Sequence, residues 1–490
     1  MQTKYSFCVI SLICIFTAIY STGYHHPDEH YQLIEFAGLK GGWNTGANLT
    51  WEYDAQIRPA LQPMIALSVF QLSGLFGVES LFLLAMGLRF LTALLSCCCI
   101  GVFIRSFLPS IKKSYHTAFI LLSFLLWFLP AINVRFSSET WAGLSLLLAV
   151  ALIHSEKKRT PLAYIGIGVL LGLSFVFRFQ MAIALAGLFL WLVFIKRENI
   201  TTLSYLFSGG LLVVAGGFLL DSWFYGNWVF TPYNYYKANI VEGIASNFGT
   251  APWYFYPEQL INRPTPLIGF LLLVAILLFC FFEYKNPVVW ILLPFLLVHS
   301  LIPHKELRFL FPVVNYFPLV LILAWQKIIS LWNVQTLKAV LYPVLGIALI
   351  VNTGGLVMLS FKPAGYGNIG MLQYIHNHYD RVNLYTIAWS NPYILGNMKG
   401  LTPRFYANEK VTIKSLSEAL DARSLEKSGN NDLVMLLASY HERRYLEEAG
   451  FTVEKRSIPA WVEWMDRFYR VCPEYDYTFV LYSKPHEKEN

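Results

Sequence analysis

The sequence predicts an all-α polytopic membrane protein that ends in a soluble α/β domain. Three observations carry this. Hydrophobic residues make up 56% of the 490 and charged residues only 14%, against roughly 25% charged in ordinary soluble domains; mean hydropathy is +0.48. Apolar runs of about 20 residues, the length a helix needs to cross a bilayer, recur from the N-terminus to residue 360. From residue 361 the texture changes to shorter apolar runs alternating with polar helical patterns.

Eleven spans are predicted, near 5–23, 80–104, 117–132, 139–154, 161–178, 179–195, 203–222, 264–282, 287–302, 309–326 and 338–360. The first, Lys4 followed by "YSFCVISLICIFTAIY", has the shape of a secretory signal. No small-x-small site follows it, so it reads as an uncleaved first span. The basic clusters "RSFLPSIKK" (105–113), "EKKR" (156–159), "KRE" (196–198) and "EYK" (283–285) fall with Lys4 on one side if the spans alternate. That side is cytoplasmic by the positive-inside tendency. The formal charge of +7 therefore reports topology and not nucleic-acid binding. "ALQPMIALSVFQLSGLFG" (60–77) is apolar enough to span, but counting it would put "RSFLPSIKK" outside. It is read as a re-entrant or interfacial helix on the outer face.

With this alternation the chain divides into a membrane domain, 1–360, and an extracytoplasmic soluble domain, 361–490. The outer loops at 24–79, 223–263 and 303–309 share the extracytoplasmic face with the tail. In the tail, "VNLYTIA" (382–388), "DLVMLLA" (432–438), "FTVEKRS" (451–457) and "YTFVLYS" (477–483) are strand-like. "SLSEALDARSLEK" (415–427) and "ERRYLEEAG" (442–450) are helical in pattern. Strands alternating with helices give a small α/β domain, expected to pack over the membrane part or to contact an acceptor. Six of the seven cysteines lie in apolar runs and only Cys472 in a polar one, which gives no disulfide framework and no zinc pattern.

The chemistry-bearing residues gather in the outer loops. In "GYHHPDEHYQLIEFA" (23–37), a proline before an acidic pair fits the first turn of a helix. Asp28 and Glu29 diverge by about 100° on that helix, so one faces a cavity and the other caps or supports. A wet helix start, a catalytic carboxylate and a metal site are all open from the pattern, although the histidines lack a recognisable ligand spacing. Leu33, Phe36 and Ala37 form one stripe, as in an amphipathic helix lying on a membrane. In "LTWEYDAQIRP" (49–59), Trp51 and Tyr53 alternate with Glu52 and Asp54, a pattern shared by sugar sites and interfacial belts. The loop 231–260 brings Asn234, Asn239 and Glu242 as sugar-type hydrogen-bonding groups, with Trp253, Tyr254 and Tyr256 at headgroup depth. In "HKELRF" (304–309), three cations between apolar spans are costly unless they meet something negative; a lipid-linked phosphate would supply it. Arg178 and Arg89 are further isolated cations, with a buried structural pair as the alternative for each.

"HPDEHYQ" (26–32), "TWEYDAQIR" (50–58), "NYYKAN…FGTAPWYFY" (234–256) and "HKELRFL" (304–310), in this order, resemble the polyprenyl-phosphate-mannose-dependent α-mannosyltransferases. These are the glycosyltransferase family 22 enzymes of N-glycan precursor and GPI-anchor assembly, and the middle block is closest to the GPI branch. The resemblance covers about residues 1–330. It implies a GT-C fold and an inverting transfer from a lipid-phosphate sugar to a hydroxyl of a glycan or glycolipid. Asp28 matches the catalytic position, with Glu29 in support. His304, Lys305, Arg308 and Arg178 would meet the donor phosphate. Glu52, Arg58, Asn239, Trp253 and Tyr256 would contact sugars or acceptor. No metal or other cofactor is implied. The tail from 361 departs from eukaryotic members and points to a bacterial inner-membrane relative, or to the ER membrane if the chain is eukaryotic. The competing class is a transporter or flippase of lipid-linked sugars. It would need access from both faces and often has repeated halves; the sequence has no internal repeat, and its polar motifs gather on one face.

Overall fold

The computed structural model describes residues 2–155, 159–331, 334–387, 390–393, 403–416, 432–437, 443–448, 450–469 and 478–483. Helices dominate up to Phe361. Among the described residues, Leu81–Ser110, Ile200–Tyr225, Leu307–Leu331 and Leu341–Phe361 are long and apolar enough to cross a membrane. Seven more apolar helices have 10–17 residues.

Three predicted segments differ in detail. The span expected at 117–132 is two helices, His116–Leu125 and Leu129–Asn133. Pro130 lacks an N–H and sits in the first turn of the second, where that costs least. The break is covered by Asn352, whose side chain accepts from Trp127 N–H at 2.9 Å and donates to Leu125 O at 2.8 Å. The span expected at 309–326 starts as a 3-10 run, Leu307–Tyr316, before the α-helix Phe317–Leu331. The segment 60–77 holds a 15-residue helix, Leu61–Leu75, which buries Ala66, Leu67 and Phe70 and exposes Leu72 and Leu75, with Phe76 exposed at its C-cap.

The loop after the first helix does not lie on the surface as one apolar stripe. Helix Pro27–His30 runs through a π-helical turn, Tyr31–Glu35, into helix Phe36–Gly41, and every residue from His30 to Gly38 is buried. The tail supplies the missing cover. The His30 ring stacks between Tyr24 at 5.0 Å and Tyr406 at 5.4 Å. Phe405 N–H donates to Glu35 Oε1 at 3.0 Å. Ile369 and Leu372 share a core with Tyr31, Leu33 and Ile34.

The described residues of the tail form a five-stranded mixed sheet: β1 (Val382–Ile387), β2 (Val411–Leu416), β3 (Asp432–Leu437), β4 (Thr452–Arg456) and β5 (Phe479–Ser483), in the order β2-β1-β3-β5-β4. β1 pairs in parallel with β2 and β3, and β5 antiparallel with β3 and β4. Strand β2 has no counterpart in the sequence pattern; it takes the first two residues of the helical-pattern segment 415–427. The rest of that segment, and Cys472, lie outside the described residues. Helix Arg443–Glu448 falls within the expected 442–450. A last helix, Ala460–Tyr469, leaves the sheet and lies against the final span.

Candidate active site

Asp28 sits in the first turn of Pro27–His30. His26 caps that helix, its Nδ1 accepting from Asp28 N–H at 3.2 Å. The cap fixes the carboxylate's direction, and the short 3-10 run beginning at Leu307 brings Arg308 to meet it. Arg308 Nη2 donates to Asp28 Oδ2 at 2.6 Å. The same guanidinium donates through Nε to Glu306 Oε2 at 2.5 Å and through Nη1 to Glu139 Oε1 at 3.0 Å. Arg178 Nη1 reaches that Glu139 oxygen at 2.7 Å. Both guanidiniums lie over the Phe309 ring, at 5.0 and 5.4 Å. Charge-assisted contacts of this kind are the stronger hydrogen bonds, and here they tie four stretches of chain together.

The network sets the protonation states. Burial alone would raise the Asp28 pKa, but Arg308, His26 and Arg58 outweigh it and hold the carboxyl below the usual range. Glu306 is likewise desolvated, yet hydrogen bonds from His304 and Arg308 hold it far below. His304 moves up, mainly through its 3.0 Å contact with Glu306; its other ring nitrogen faces Gly249 O at 2.8 Å. With acceptors at both nitrogens, a proton on each would satisfy both, and His304 would then stand as a third cation beside Arg308 and Arg178, facing Asp28, Glu139 and Glu306.

Of the expected site residues, Asp28, Arg308, Arg178 and His304 come together, and others do not. Lys305 is buried and its ammonium donates to Ala251 O at 2.7 Å and Ile302 O at 2.6 Å. Its hydrogens are spent on loop backbone, so it stitches 249–253 to 302–305 instead of meeting a phosphate. Glu29 turns away from Asp28: Arg135 Nε donates to it at 2.6 Å and His25 N–H at 2.9 Å. Arg135 also holds Ser21 O at 2.8 Å and Gly23 O, so this pair anchors the exit from the first helix. Tyr256 is in the helical core, edge-on to His299, because helix Phe255–Asn262 turns it inward; it is no sugar platform. Trp253 is exposed. Asn239 donates within its own turn, to Tyr235 O at 3.1 Å. Arg89 is structural, donating to Ala18 O at 2.8 Å.

Two cavities adjoin the cluster. One, of about 30 Å³, is lined by Gln32, Arg58, Gln62, Ser138, Arg178 and Tyr235 among others. Glu52 Oε1 accepts from Gln32 at 3.0 Å and Arg58 at 3.3 Å behind it. Both amide atoms of buried Gln62, with Glu52 Oε2, Arg58 Nε and Arg178 Nε, have no partner among the described residues. Buried polar groups left so are costly, and a hydroxyl-rich ligand or water would satisfy them. The other cavity, of about 420 Å³, is chiefly apolar, with Trp127, Phe128, Leu260, Phe311 and Leu359 in its wall. His26 and Pro27, the residues before Asp28, belong to the same wall.

Glu139, Glu306, Arg135 and Gln62 were not singled out from sequence. The available signal was charge balance. Isolated Arg178 required an acid near a span end, and "SSETW" (137–141) offers one.

Comparison with known proteins follows the same lines. The Bos taurus GPI alpha-1,2-mannosyltransferase 3 is 25% identical over 301 residues, covering 59% of this chain and 53% of its own. A Schizosaccharomyces pombe protein named probable Dol-P-Man:Man(7)GlcNAc(2)-PP-Dol alpha-1,6-mannosyltransferase is 30% identical over 159 residues, 31% of this chain and 28% of its own. The chain spans about half the length of the first curated relatives it matches. ArnT from Cupriavidus metallidurans, solved with undecaprenyl phosphate, aligns over 98% of both chains at 12% identity with a TM-score of 0.49. A profile of one family matches residues 5–384, and these include Asp28, Glu139, Arg178 and Arg308: the chain belongs to the Alg9-like mannosyltransferase family.

Proposed function

We propose that the chain is a GT-C-type membrane glycosyltransferase. It moves mannose from a polyprenyl-phosphate carrier to a hydroxyl of a glycan or glycolipid on the extracytoplasmic face, with inversion and without a metal ion. The observation that carries this reading is the Asp28–Arg308 pair beside a large apolar cavity whose wall includes His26 and Pro27. A carboxylate, a guanidinium and an apolar chamber are the three things that a hydroxyl proton, a phosphate and a lipid chain require. The names of the relatives support mannose and a lipid-phosphate donor.

In this mechanism the acceptor oxygen attacks the anomeric carbon from the face opposite the phosphate. Asp28 takes its proton, a role worth about 10²–10⁴ in rate. The bond from the anomeric carbon to the phosphate oxygen breaks, and the phosphate leaves with the bonding pair. Arg308, Arg178 and protonated His304 oppose its charge. An arriving phosphate competes with Asp28 for Arg308. As Arg308 turns to it, Asp28 loses the cation that depresses its pKa and becomes a better base. Glu52, Arg58 and Gln62 hold sugar hydroxyls.

The test is transfer of labelled mannose from polyprenyl-phosphate mannose by the reconstituted chain with a glycolipid acceptor pool. Transfer that survives chelator and is lost in Asp28→Asn supports the reading. Full transfer in Asp28→Asn, or a strict need for added Mg²⁺ or Mn²⁺, overturns it.

A further inference from the structure

The helix Ala460–Tyr469 turns a mixed face to the protein and an aromatic face away from it. Inward, Val462 and Tyr469 are buried, and Asp466 takes a 2.7 Å hydrogen bond from Lys362. Outward, Trp461, Trp464 and Phe468 are 44%, 61% and 67% exposed. The spacing of three, then four residues puts them on one stripe. The Arg467 side chain, 74% exposed, flanks it.

The helix stands where two apolar helices end. The Trp461 ring meets Phe361, the last residue of the final span, at 5.7 Å. Phe361 meets Tyr20, the last residue of the first helix, at 5.0 Å. From this corner the helix runs back beside the final span. Tyr469 Oη donates to Val351 O at 2.7 Å, roughly 15 Å along the span from Phe361 at 1.5 Å per residue. The span is built to admit it. A Cβ on Gly354 would lie 2.3 Å from Tyr469 Oη, and one on Gly355 2.9 Å from Tyr469 Cε1 and 2.8 Å from Trp127. Two adjacent glycines in an apolar helix thus make a slot for a residue of the tail.

A stripe of three large aromatics with a neighbouring cation is unfavourable against water. It suits a leaflet: Trp461 lies at the end of the span, at the depth where indole rings partition, Phe468 lies deeper along the span among acyl chains, and the long Arg467 side chain can reach back toward lipid phosphates. We infer that Ala460–Tyr469 is a membrane anchor, bedded beside the final span through Trp461, Trp464 and Phe468 in the leaflet on the catalytic face. The occupant of this face is lipid, because the helix packs on the end of one membrane helix at Phe361, which itself meets the end of another at Tyr20. The tail is then tied to the bilayer at one corner and to the catalytic loop, through Phe405 and Tyr406, at another.

The test uses the full chain in phosphatidylethanolamine–phosphatidylglycerol vesicles. A nitroxide is placed at Trp464→Cys or Phe468→Cys, with the exposed native cysteines replaced, and at Val453→Cys on β4 as the aqueous comparator. Oxygen collides preferentially with the label at 464 and 468, and an aqueous nickel chelate with the label at 453. Equal access of the chelate at all three positions overturns the anchor. Protection from both reagents at 464 and 468, as a protein partner or a second copy would give, also overturns it. A diazirine phospholipid gives a second reading without substitution: adducts form on the tryptic peptide 457–467. Adducts on span peptides without any on this one refute the proposal.

Discussion

Arg308 holds Asp28 with a 2.6 Å hydrogen bond across 280 residues of sequence, and the same guanidinium is shared with Glu139 and Glu306. Substitutions at the two residues of this pair are expected to have different signatures. Asp28→Asn keeps the shape and lowers mannose transfer by about 10²–10⁴. It also lowers thermal stability, because the charge that Arg308 favours is lost, but by less than loss of Arg308 does, since Arg308 still pairs with Glu139 and Glu306. Parallel activity and unfolding measurements on the purified chain check this.

Arg308→Gln leaves three carboxylates, Glu139 buried and Asp28 and Glu306 half-buried, short of their common partner. Removing one partner of a fully buried pair costs about 3–5 kcal/mol, and the half-buried contacts bring the loss here below that. Arg308→Lys does not restore it, because one ammonium lacks the planar fork that reaches all three acids. Denaturation in detergent reads the loss; wild-type stability in both variants contradicts the network.

The His304–Glu306 contact predicts a loss of stability as pH rises above the ordinary imidazole value. His304 has its pKa raised in the folded chain, so its stabilising charge is fully present below about 6.5. It is lost as pH rises through the raised folded value. Wild-type stability falls over that window, and His304→Gln flattens the fall. Unfolding midpoints taken across the window on both chains decide it.

Gln62→Leu separates binding from folding. The amide is buried and unpartnered, so an apolar replacement is neutral or stabilising for the fold. If Gln62 holds a sugar hydroxyl, KM rises several-fold while kcat changes less. Unchanged KM places Gln62 outside the sugar site.

Glu35 joins the tail to the catalytic loop. It accepts from His30 at 2.8 Å and Phe405 N–H at 3.0 Å on one oxygen, and from Asn44 at 2.8 Å on the other. Glu35→Gln sets an amide donor against these donors, at a cost of about 1–3 kcal/mol. Faster hydrogen exchange at 403–407 and in the loop 30–38 is the expected readout.

The sequence made legible whatever depends on local pattern. Apolar runs located the helices, Pro27 marked a helix start, and the loops carrying "HPDE" and "HKELRF" do meet. Distant pairing was not legible. Nothing local to Arg178 names Glu139, and nothing near Lys305 says that its ammonium turns back onto the carbonyls of Ala251 and Ile302. The loop 30–38 misled for a related reason. Its stripe of Leu33, Phe36 and Ala37 is amphipathic alone, but Tyr31, Ile34 and Glu35 on the other side find cover in Phe405, Tyr406 and Ile369. A pattern read within one segment cannot know what a later segment brings.

The Glu35–Phe405 hydrogen bond, spanning 370 residues, also fixes an order of events during synthesis. At roughly 5–20 residues per second, about 20–70 seconds separate the emergence of the two ends. Through that interval Asp28 stands on a helix whose far wall does not yet exist. A ribosome that stalls between residues 361 and 405 therefore holds a chain whose apolar helices are made and whose loop at 30–38 still lacks its cover.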